Sequence, residues 1–258
     1  MEKKIGISLC GGGARGIAHI GVLNALEDAG IKISIISGSS MGAIVGTMYA
    51  AGILPLKMLE IVSETSFVKI FGGFSLPKGG LSELTFLRKM LAKHISYSKF
   101  EELKIPFHVC TSNLNTGKFQ IFSKGEFIEP VIASSAIPLI FNPVTINNQV
   151  HVDGGVLNNL PVEPLLGNCD YLIGVNVNPH GEIEDVKGLR EIGERVFDLT
   201  IWNNVESRLK LCNLVIEPNQ VFSHHIFDWP KAKQIFYYGY FSAKEKINAI
   251  KKDLGINS

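Results

Sequence analysis

The sequence predicts an α/β fold in which a mainly parallel central sheet lies between layers of helices. Three observations favour this class: strand-like and helix-like segments alternate from the N-terminus, their connections are short, and 258 residues are enough to bury a full core. Strands separated by helices pair in parallel, because the helix carries the chain back to the start of the sheet. No internal repeat or linker interrupts the pattern, so we expect one domain over residues 1–258.

The N-terminal part of this pattern is the most regular. Ile5–Leu9 is a short buried strand, and residues 16–29 form a helix that Gly30 closes. Residues 31–36 are β-branched and predict a second strand, and residues 41–51 form a second helix without any charge. A helix that has no charged residue must be covered on all sides, so we expect this segment to lie inside the fold.

The remaining segments are more varied. Helices are predicted over residues 56–69 and 84–94, a glycine-rich loop over 71–80, strands over Phe107–Asn113, 117–122 and 171–177, and a mostly helical region from Gly188, with Pro230 beginning the last helix. Residues 130–152 contain Pro138 and Pro143 as well as several asparagines, and we expect irregular backbone there.

The charge balance excludes one class of partner. Lysine and arginine number 25 against 24 acidic residues, which gives a net charge of +1. A nucleic-acid-binding protein normally has a strong or clustered basic excess. We therefore expect no nucleic-acid partner.

Two long uncharged runs raise the question of a membrane span. Residues 33–56 are long enough to cross a bilayer, but serines and glycines at 37–42 interrupt them and Pro55 ends them. A strand, a tight turn and a buried helix explain this run better. The second run, residues 130–152, has the irregular backbone that lipid does not tolerate.

The N-terminus and the cysteines predict a cytoplasmic protein. The apolar stretch after Lys3 and Lys4 is too short for a signal peptide. The four cysteines show no Cys-x-x-Cys spacing, which is typical of free thiols in a reducing compartment.

Gly38-Ser39-Ser40-Met41-Gly42 fits the pattern Gly-x-Ser-x-Gly. A serine in a sharp strand-to-helix turn has strained backbone angles, and glycines two residues away on either side remove the Cβ atoms that would collide. The hydroxyl then stands at a helix N-terminus, where the helix dipole favours developing negative charge. The alternative is an ordinary tight turn, but the predicted strand before and buried helix after favour a nucleophile.

A second glycine-rich segment follows the first predicted strand. Gly11, Gly13 and Gly16 also fit the dinucleotide-binding pattern Gly-x-Gly-x-x-Gly. That pattern needs an acidic residue about 20 positions on, at the end of the second strand, to hold a ribose. The chain has Ser37 and Gly38 there instead. The sequence therefore argues against a nicotinamide or flavin cofactor.

An oxyanion hole is the better interpretation of these glycines. Gly11, Gly12 and Gly13 expose consecutive backbone N–H groups, and parallel strands would place them beside Ser40. Each such donor can lower a barrier by roughly 3–4 kcal/mol. Arg15 either contacts an anionic head group or pairs with a carboxylate, and the sequence favours neither.

The base that a serine nucleophile requires is less obvious. None of the seven histidines lies in a recognisable turn, and His19 falls in a predicted helix. Asp153 ends an apolar segment and precedes two glycines, which can leave its carboxylate unobstructed. An aspartate is a weaker base than a histidine by about 3.5 kcal/mol. A direct Ser–Asp pair would need apolar surroundings that raise the aspartate pKa, or a strong oxyanion hole.

Taken together, the chain resembles the patatin-like phospholipases from residue 5 to residue 166. The resemblance rests on four segments in order: Gly11-Gly-Gly-Ala-Arg-Gly16, Gly38-Ser-Ser-Met-Gly42, Ala133-Ser-Ser-Ala-Ile-Pro138 and Asp153-Gly-Gly155. It implies a three-layer α/β/α fold and hydrolysis of acyl esters, usually those of phospholipids or lysophospholipids. It also implies a catalytic dyad without histidine, metal or cofactor.

The resemblance also assigns roles to individual residues. Ser40 becomes the nucleophile, Asp153 the base, and the amides of Gly11, Gly12 and Gly13 the oxyanion donors. The supporting motif residues are Arg15, Gly16, Gly38, Gly42, Gly154 and Gly155. Two alternatives stay open: an acyltransferase or thioesterase with the same dyad, and a regulatory protein that keeps the fold without turnover.

Two regions lie outside these motifs. Residues 188–258 carry no family signature, and we expect them to form a helical portion that packs on the catalytic core. Phe67, Phe71 and Phe74 lie among glycines and suggest a lid or an element that touches a membrane transiently, with ordinary core aromatics as the alternative. The expected partner is a lipid or acyl-ester substrate, and the oligomeric state is left open.

Overall fold

The computed structural model describes residues 3–64, 84–183 and 185–256, without the side chains of residues 190, 194 and 197. The helices are α1 (Ile17–Asp28), α2 (Met41–Ala50), α3 (Pro55–Glu64), α4 (Thr85–His94), α5 (Ile128–Ser134), α6 (Gly188–Leu209) and α7 (Ala232–Leu254). The strands are β1 (Ile5–Leu9), β2 (Ile35–Ser39), β3 (Phe107–Asn113), β4 (Lys118–Phe122), β5 (Val144–Ile146), β6 (Gln149–Asp153), β7 (Tyr171–Val175) and β8 (Leu214–Ile216). Short 3₁₀ turns cover Gly13–Gly16 and Gly154–Val156.

The strands form one mixed sheet whose centre is parallel. β3, β2, β1, β7 and β8 are neighbours in that order and all run in the same direction. β4, β5 and β6 extend this sheet with antiparallel pairs. β1, β2 and β7 are buried along their whole length, as strands covered by helices on both faces must be. The predicted α/β class with a mainly parallel sheet is confirmed.

One edge of β3 is shared by two strands that meet end to end. β4 pairs with residues 109–113 of β3 along the edge opposite to this shared one. On the shared edge, β2 runs parallel to β3 as far as the pair Ser39–Cys110, and β6 runs antiparallel to it as far as the pair Thr111–Asp153. The carboxyl ends of β2 and β6 therefore abut at the middle of β3.

Helix α7 lies directly against α1. A side-chain carbon at Gly21 of α1 would collide with the backbone carbonyl of Phe236, and one at Gly239 of α7 would collide with that of Ala18. The two helices therefore cross in backbone contact, which only glycine allows on both sides. This contact brings the C-terminal helix onto the helix that follows the glycine-rich segment.

Several predicted boundaries are wrong, and each has a local cause. Residues 31–34 form a connection, and β2 begins at Ile35 because its pairing with β1 runs from Gly6–Ile35 to Leu9–Gly38. The C-terminal region predicted as mostly helical also contains β8, which pairs with β7. The helix predicted over residues 56–69 is α3 as far as Glu64, and the loop with Phe67, Phe71 and Phe74 lies outside the described residues.

Residues 130–152 are more regular than the sequence suggested. They include most of α5 and the hairpin of β5 and β6, whose turn places Asn147 at φ 51° and Asn148 at φ 60°. Two consecutive residues with positive φ form the turn that best suits a two-residue hairpin, and asparagine tolerates this conformation. The expectation of irregular backbone is therefore confirmed for residues 135–143, which contain Pro138 and Pro143, and wrong for the rest of the run.

As predicted, the uncharged run at residues 33–56 folds as a strand, a tight turn and a buried helix. It supplies β2, the fully buried α2 and the first residues of α3, which begins at Pro55. In the described part of the chain, no helix combines the length and the apolar character needed to cross a bilayer.

Candidate active site

Ser40 lies in a strained turn between β2 and α2. Its backbone has φ 51° and ψ −123°, a conformation that side-chain-bearing residues rarely adopt, and it caps the N-terminus of α2. Its exposed fraction is 8%. The strand-to-helix elbow predicted from the sequence is therefore present, and the Ser40 side chain is almost completely buried.

The two elbow glycines allow three backbone segments to approach each other. A Cβ atom at Gly38 would lie 2.5 Å from the carbonyl oxygen of Gly42. A Cβ atom at Gly42 would lie 2.6 Å from the carbonyl oxygen of Cys10 and even closer to that of Leu9. Any side chain at Gly42 would therefore push α2 away from the end of β1, which is where the glycine-rich loop begins.

Ser40 and Asp153 meet at the junction on β3. The Ser40 hydroxyl donates a hydrogen bond of 2.7 Å to Oδ2 of Asp153, and the other carboxylate oxygen accepts one of 2.7 Å from the Gly155 N–H. The exposed fraction of Asp153 is 2%, and this burial raises its pKa to about 7, against the lowering effects of the two hydrogen bonds. The carboxyl is therefore a stronger base than an ordinary aspartate.

Ser134 supports the elbow from a third element. Its hydroxyl accepts a hydrogen bond of 2.9 Å from the Ser40 N–H and donates one of 2.6 Å to the carbonyl of Cys110 on β3. The Ser40 N–H therefore already has an acceptor within the protein. Sequence reasoning gave Ser134 no role, although it lies in one of the four segments that carried the resemblance.

The glycine-rich loop approaches Ser40, but its amides are not equivalent. The Gly11 N–H donates to Asn159 Oδ1 at 3.0 Å and lies 3.3 Å from the Asn159 carbonyl. None of the described residues accepts a hydrogen bond from the N–H of Gly12 or Gly13. Gly13 has φ 55°, and a side chain there would collide with the backbone carbonyl of Ile226.

A narrow pocket connects these groups. Its lining combines polar groups with three isoleucines: Gly12, Gly13, Ser40, Asp153, Asn159, Asn178, Ile137, Ile201 and Ile226. Its volume is about 20 Å³, close to what one water molecule needs. Gly12 and Gly13 thus share a cavity with the Ser40–Asp153 pair.

Among the described residues, no histidine donates a hydrogen bond to either carboxylate oxygen of Asp153. His19 is buried in α1, its Nε2 lies 2.7 Å from the Cys10 carbonyl, and burial lowers its pKa to about 4. His151 lies 2.9 Å from the Thr111 hydroxyl through Nδ1, and His180 stacks on Trp202. These side chains have structural surroundings, which matches the default expectation for them.

The supporting motif residues shape the loop and the turn after Asp153. Arg15 donates from Nε to the His224 carbonyl at 2.7 Å and lies 3.7 Å from Asp198, so it pairs with a carboxylate. A side chain at Gly16 would collide with Met41. At Gly154 it would collide with the Cys110 carbonyl, and at Gly155 a Cβ atom would lie 2.8 Å from Asn159 Oδ1.

Two asparagines that sequence reasoning missed hold the loop. The Nδ2 group of Asn159 donates to the Gly11 carbonyl at 3.3 Å, so its amide contacts both polar groups of Gly11. The Nδ2 group of Asn178 also donates to the Gly11 carbonyl. The only sequence signal for Asn159 is its place in the Asn-x-Pro sequence after Asp153, and the only one for Asn178 is its place after a predicted strand.

The comparisons place the chain in a family. Residues 7–166 match the patatin-like phospholipase family, and the chain belongs to this family. An uncharacterized NTE family protein of Mycobacterium tuberculosis is 33% identical over 180 residues, which cover 69% of this chain and 50% of that protein. Lysophospholipase NTE1 of Coccidioides immitis is 25% identical over 98% of this chain and 18% of its own length. The chain thus spans about half the length of the mycobacterial relative.

The fold is also similar to that of a solved structure. VipD from Legionella pneumophila superposes with a TM-score of 0.53 over 96% of this chain and 67% of that chain, at 13% sequence identity. At this identity the similarity concerns the fold alone. The coverage extends beyond the matched family segment into the C-terminal helices.

Proposed function

We propose that this chain is a serine hydrolase that cleaves acyl esters of lipids, with Ser40 as nucleophile and Asp153 as general base. The observation that carries the proposal is the 2.7 Å hydrogen bond from the Ser40 hydroxyl to Asp153, in a pocket shared with Gly12 and Gly13, whose N–H groups have no acceptor among the described residues. The names of two fungal relatives support this substrate class, since both are called lysophospholipases. Phospholipids and lysophospholipids are the substrates that we propose.

The first step forms an acyl-enzyme. The Ser40 oxygen attacks the ester carbonyl carbon while its proton passes to Oδ2 of Asp153, and the carbonyl oxygen becomes an oxyanion. When the tetrahedral intermediate collapses, the bond to the alcohol breaks. The alcohol takes the proton from Asp153, and the acyl group stays on Ser40.

The second step regenerates the enzyme. Water attacks the acyl carbon and gives a proton to Asp153, and a second oxyanion forms in the same place. Collapse of this intermediate releases the fatty acid and returns the proton to the Ser40 oxygen. Asp153 thus acts as base and acid in turn, for which a pKa of about 7 is well suited.

The oxyanion donors that we propose are Gly12 and Gly13. Both residues line the pocket, whereas Gly11 does not, and the Gly11 N–H already donates to Asn159. Gly11 then serves as the residue through which Asn159 holds the loop. The N-terminus of α2 adds a partial positive charge next to Ser40, which also favours the oxyanion.

Covalent labelling tests this function. A fluorophosphonate probe should label the wild-type protein on Ser40, because a serine that a base and an oxyanion site activate displaces fluoride from phosphorus and becomes phosphonylated. The Ser40→Ala variant should not be labelled. The measurement is in-gel fluorescence followed by mass spectrometry of the modified peptide.

The exposed serine at position 207 provides the matched control. A Ser207→Ala variant should be labelled as strongly as the wild type. If folded wild-type protein is not labelled, or if the label is found on a serine other than Ser40, the proposed function is wrong.

We also propose that the protein is cytoplasmic and contacts membranes peripherally through α6. Leu189, Ile192, Val196 and Leu199 lie on one face of this helix, with exposed fractions of 88%, 48%, 57% and 42%. An exposed apolar stripe at helical spacing suits a helix that lies in the surface of a bilayer. The same helix supplies Ile201 to the pocket wall, so contact with lipid would act on an element that lines the site.

Vesicle flotation tests the membrane contact. A Leu189→Asp/Ile192→Asp variant should bind phosphatidylcholine vesicles at least about tenfold more weakly than the wild type, since burying even one such side chain contributes about 1.5–3 kcal/mol. Asn248→Asp, an exposed position on α7, adds a charge away from the stripe and should bind normally. Equal binding of the wild type and the double variant would contradict the proposal.

A further inference from the structure

Asn204 of α6 contacts two turns that belong to different parts of the site. Its Oδ1 accepts a hydrogen bond of 2.8 Å from the Asn159 N–H, and its Nδ2 donates one of 2.9 Å to the Gly155 carbonyl. Asn204 lies outside residues 7–166, the segment that the family match covers. One side-chain amide in the C-terminal portion thus joins two turns of the catalytic core.

Each of the two turns holds a different functional group. The Gly155 N–H donates to Asp153 Oδ1 at 2.7 Å and so orients the base. The Asn159 side chain accepts from the Gly11 N–H at 3.0 Å and donates to its carbonyl at 3.3 Å, and so orients the glycine-rich loop. Asn204 is therefore two hydrogen bonds away from Asp153 on one side and from Gly11 on the other.

We propose that Asn204 is a positioning residue, which holds the base Asp153 and the oxyanion loop at a fixed separation through Gly155 and Asn159. This inference rests on the proposed function, because a fixed separation matters only if both groups act on one substrate. The inference also gives α6, which carries no family motif, a role in positioning the catalytic groups.

The chemistry of the side chain explains why an amide occupies this position. The two turns present a backbone donor at Asn159 and a backbone acceptor at Gly155, so the bridging group must accept and donate at the same time. An asparagine amide does both from one planar group, whereas an aspartate carboxylate only accepts. Gly155 has no side chain to restrict its backbone, so an external bond to its carbonyl has a large effect on its conformation.

The helix that carries Asn204 is itself tied to the core next to this bridge. The Nε group of Arg208, one turn further along α6, donates to Glu163 at 2.7 Å, and another nitrogen of Arg208 donates to the Asn204 carbonyl. Asn204 Nδ2 also lies 3.3 Å from the Thr200 carbonyl on the preceding turn. The Asn204 backbone therefore has a fixed place relative to the turns that its side chain bridges.

Two substitutions separate the two arms of the bridge. Asn204→Leu is uncharged and has the same branched side-chain shape with a somewhat larger volume, and it removes both hydrogen bonds. Asn204→Asp keeps an acceptor for the Asn159 N–H but turns a carboxylate oxygen toward the Gly155 carbonyl, so it breaks only the arm that leads to Asp153. The matched control is Asn203→Leu, the exposed neighbour on the same helix.

The experiment measures kcat and KM on a soluble p-nitrophenyl ester, the rate of fluorophosphonate labelling, and the melting temperature of each full-length variant. We expect kcat and the labelling rate of both Asn204 variants to fall by about 10- to 100-fold with little change in KM, because a displacement of about 1 Å can cost about 100-fold in rate. Asn203→Leu should behave as the wild type does in all three measurements.

The outcomes distinguish this inference from the proposed function. If the wild type neither turns over esters nor reacts with the probe, the proposed function fails and the positioning role fails with it. If the wild type is active and either folded Asn204 variant keeps the wild-type kcat and labelling rate, the positioning role alone is wrong. If activity falls only in proportion to the unfolded fraction, Asn204 is merely structural and the inference is overturned.

Discussion

An Asp153→Asn variant should lose turnover and at the same time become more stable than the wild type at pH 8. The loss follows from removing the base: asparagine cannot take the Ser40 proton, and a general base contributes about 10²- to 10⁴-fold in rate. Because the two side chains have nearly the same shape, the pocket should keep its form. The measurement is kcat on a soluble ester together with fluorophosphonate labelling.

The gain in stability follows from the burial of the carboxyl. Burial raises the Asp153 pKa from 3.8 to about 7, so the folded state holds this proton more tightly than the unfolded chain does. The free energy of unfolding of the wild type therefore falls as pH rises from about 4 to about 7, and it changes no further above that range. At about 1.4 kcal/mol per pH unit, the variant should gain between about 1 and 4 kcal/mol at pH 8.

Two further measurements check the physical cause. Denaturant unfolding should show a larger advantage of the variant at pH 8 than at pH 5. The kcat/KM of the wild type should rise as pH passes through about 7 and then level off, because the free enzyme needs an ionised Asp153. The exposed Asp185 gives the control, since Asp185→Asn should change neither activity nor stability by much. A variant that is less stable than the wild type at pH 8 would contradict the argument.

Gly42→Ala should destabilise the protein by about 3 kcal/mol or more, a large effect for one methyl group. The added carbon would lie 2.6 Å from the Cys10 carbonyl oxygen and closer still to that of Leu9. Both atoms belong to the backbone and cannot rotate away as a flexible side chain could. Either α2 or the glycine-rich loop must move, and each carries part of the site. The measurement is the denaturant midpoint, with the labelling rate as a second readout.

Gly193 provides the matched control for this substitution. It lies within α6, and a Cβ atom there would meet no other atom within 4 Å. Gly193→Ala should leave labelling unchanged and should raise stability by up to about 1 kcal/mol, because alanine favours the helix over glycine. If Gly42→Ala unfolds at the same denaturant concentration as the wild type, the packing at the elbow is not as close as the structure indicates.

The parts of the fold that the sequence predicted well are those with strong local patterns. β1, α2, α4 and β3 agree with their predicted spans to within about one residue, because a buried strand and an uncharged helix leave clear signals over a few residues. The elbow around Ser40 was predictable for the same reason, since its glycines and its strand-to-helix context are all close in sequence. The hairpin of β5 and β6 was missed because prolines and asparagines hid its short strands.

The parts that the sequence did not predict depend on contacts between distant residues. The meeting of Ser40 and Asp153 was expected only from the order of motifs, whereas the structure brings them together through the pairing of β2 and β6 with β3. The contacts of Asn159 and Asn204 have no local signature, because a side-chain amide that bonds a distant backbone looks like any surface asparagine in sequence. The pairing of Gly11 with Asn159 likewise follows only from the folded chain.

The junction on β3 restricts how the length of this chain can change. Side chains alternate between the two faces of a strand, so inserting or deleting one residue within Gln149–Asp153 would turn the carboxyl to the opposite face of the sheet. A length change in a connection outside this strand leaves the ladder as it is. Such connections can therefore be lengthened or shortened without turning the carboxyl, whereas the five residues that lead into the turn must keep their number.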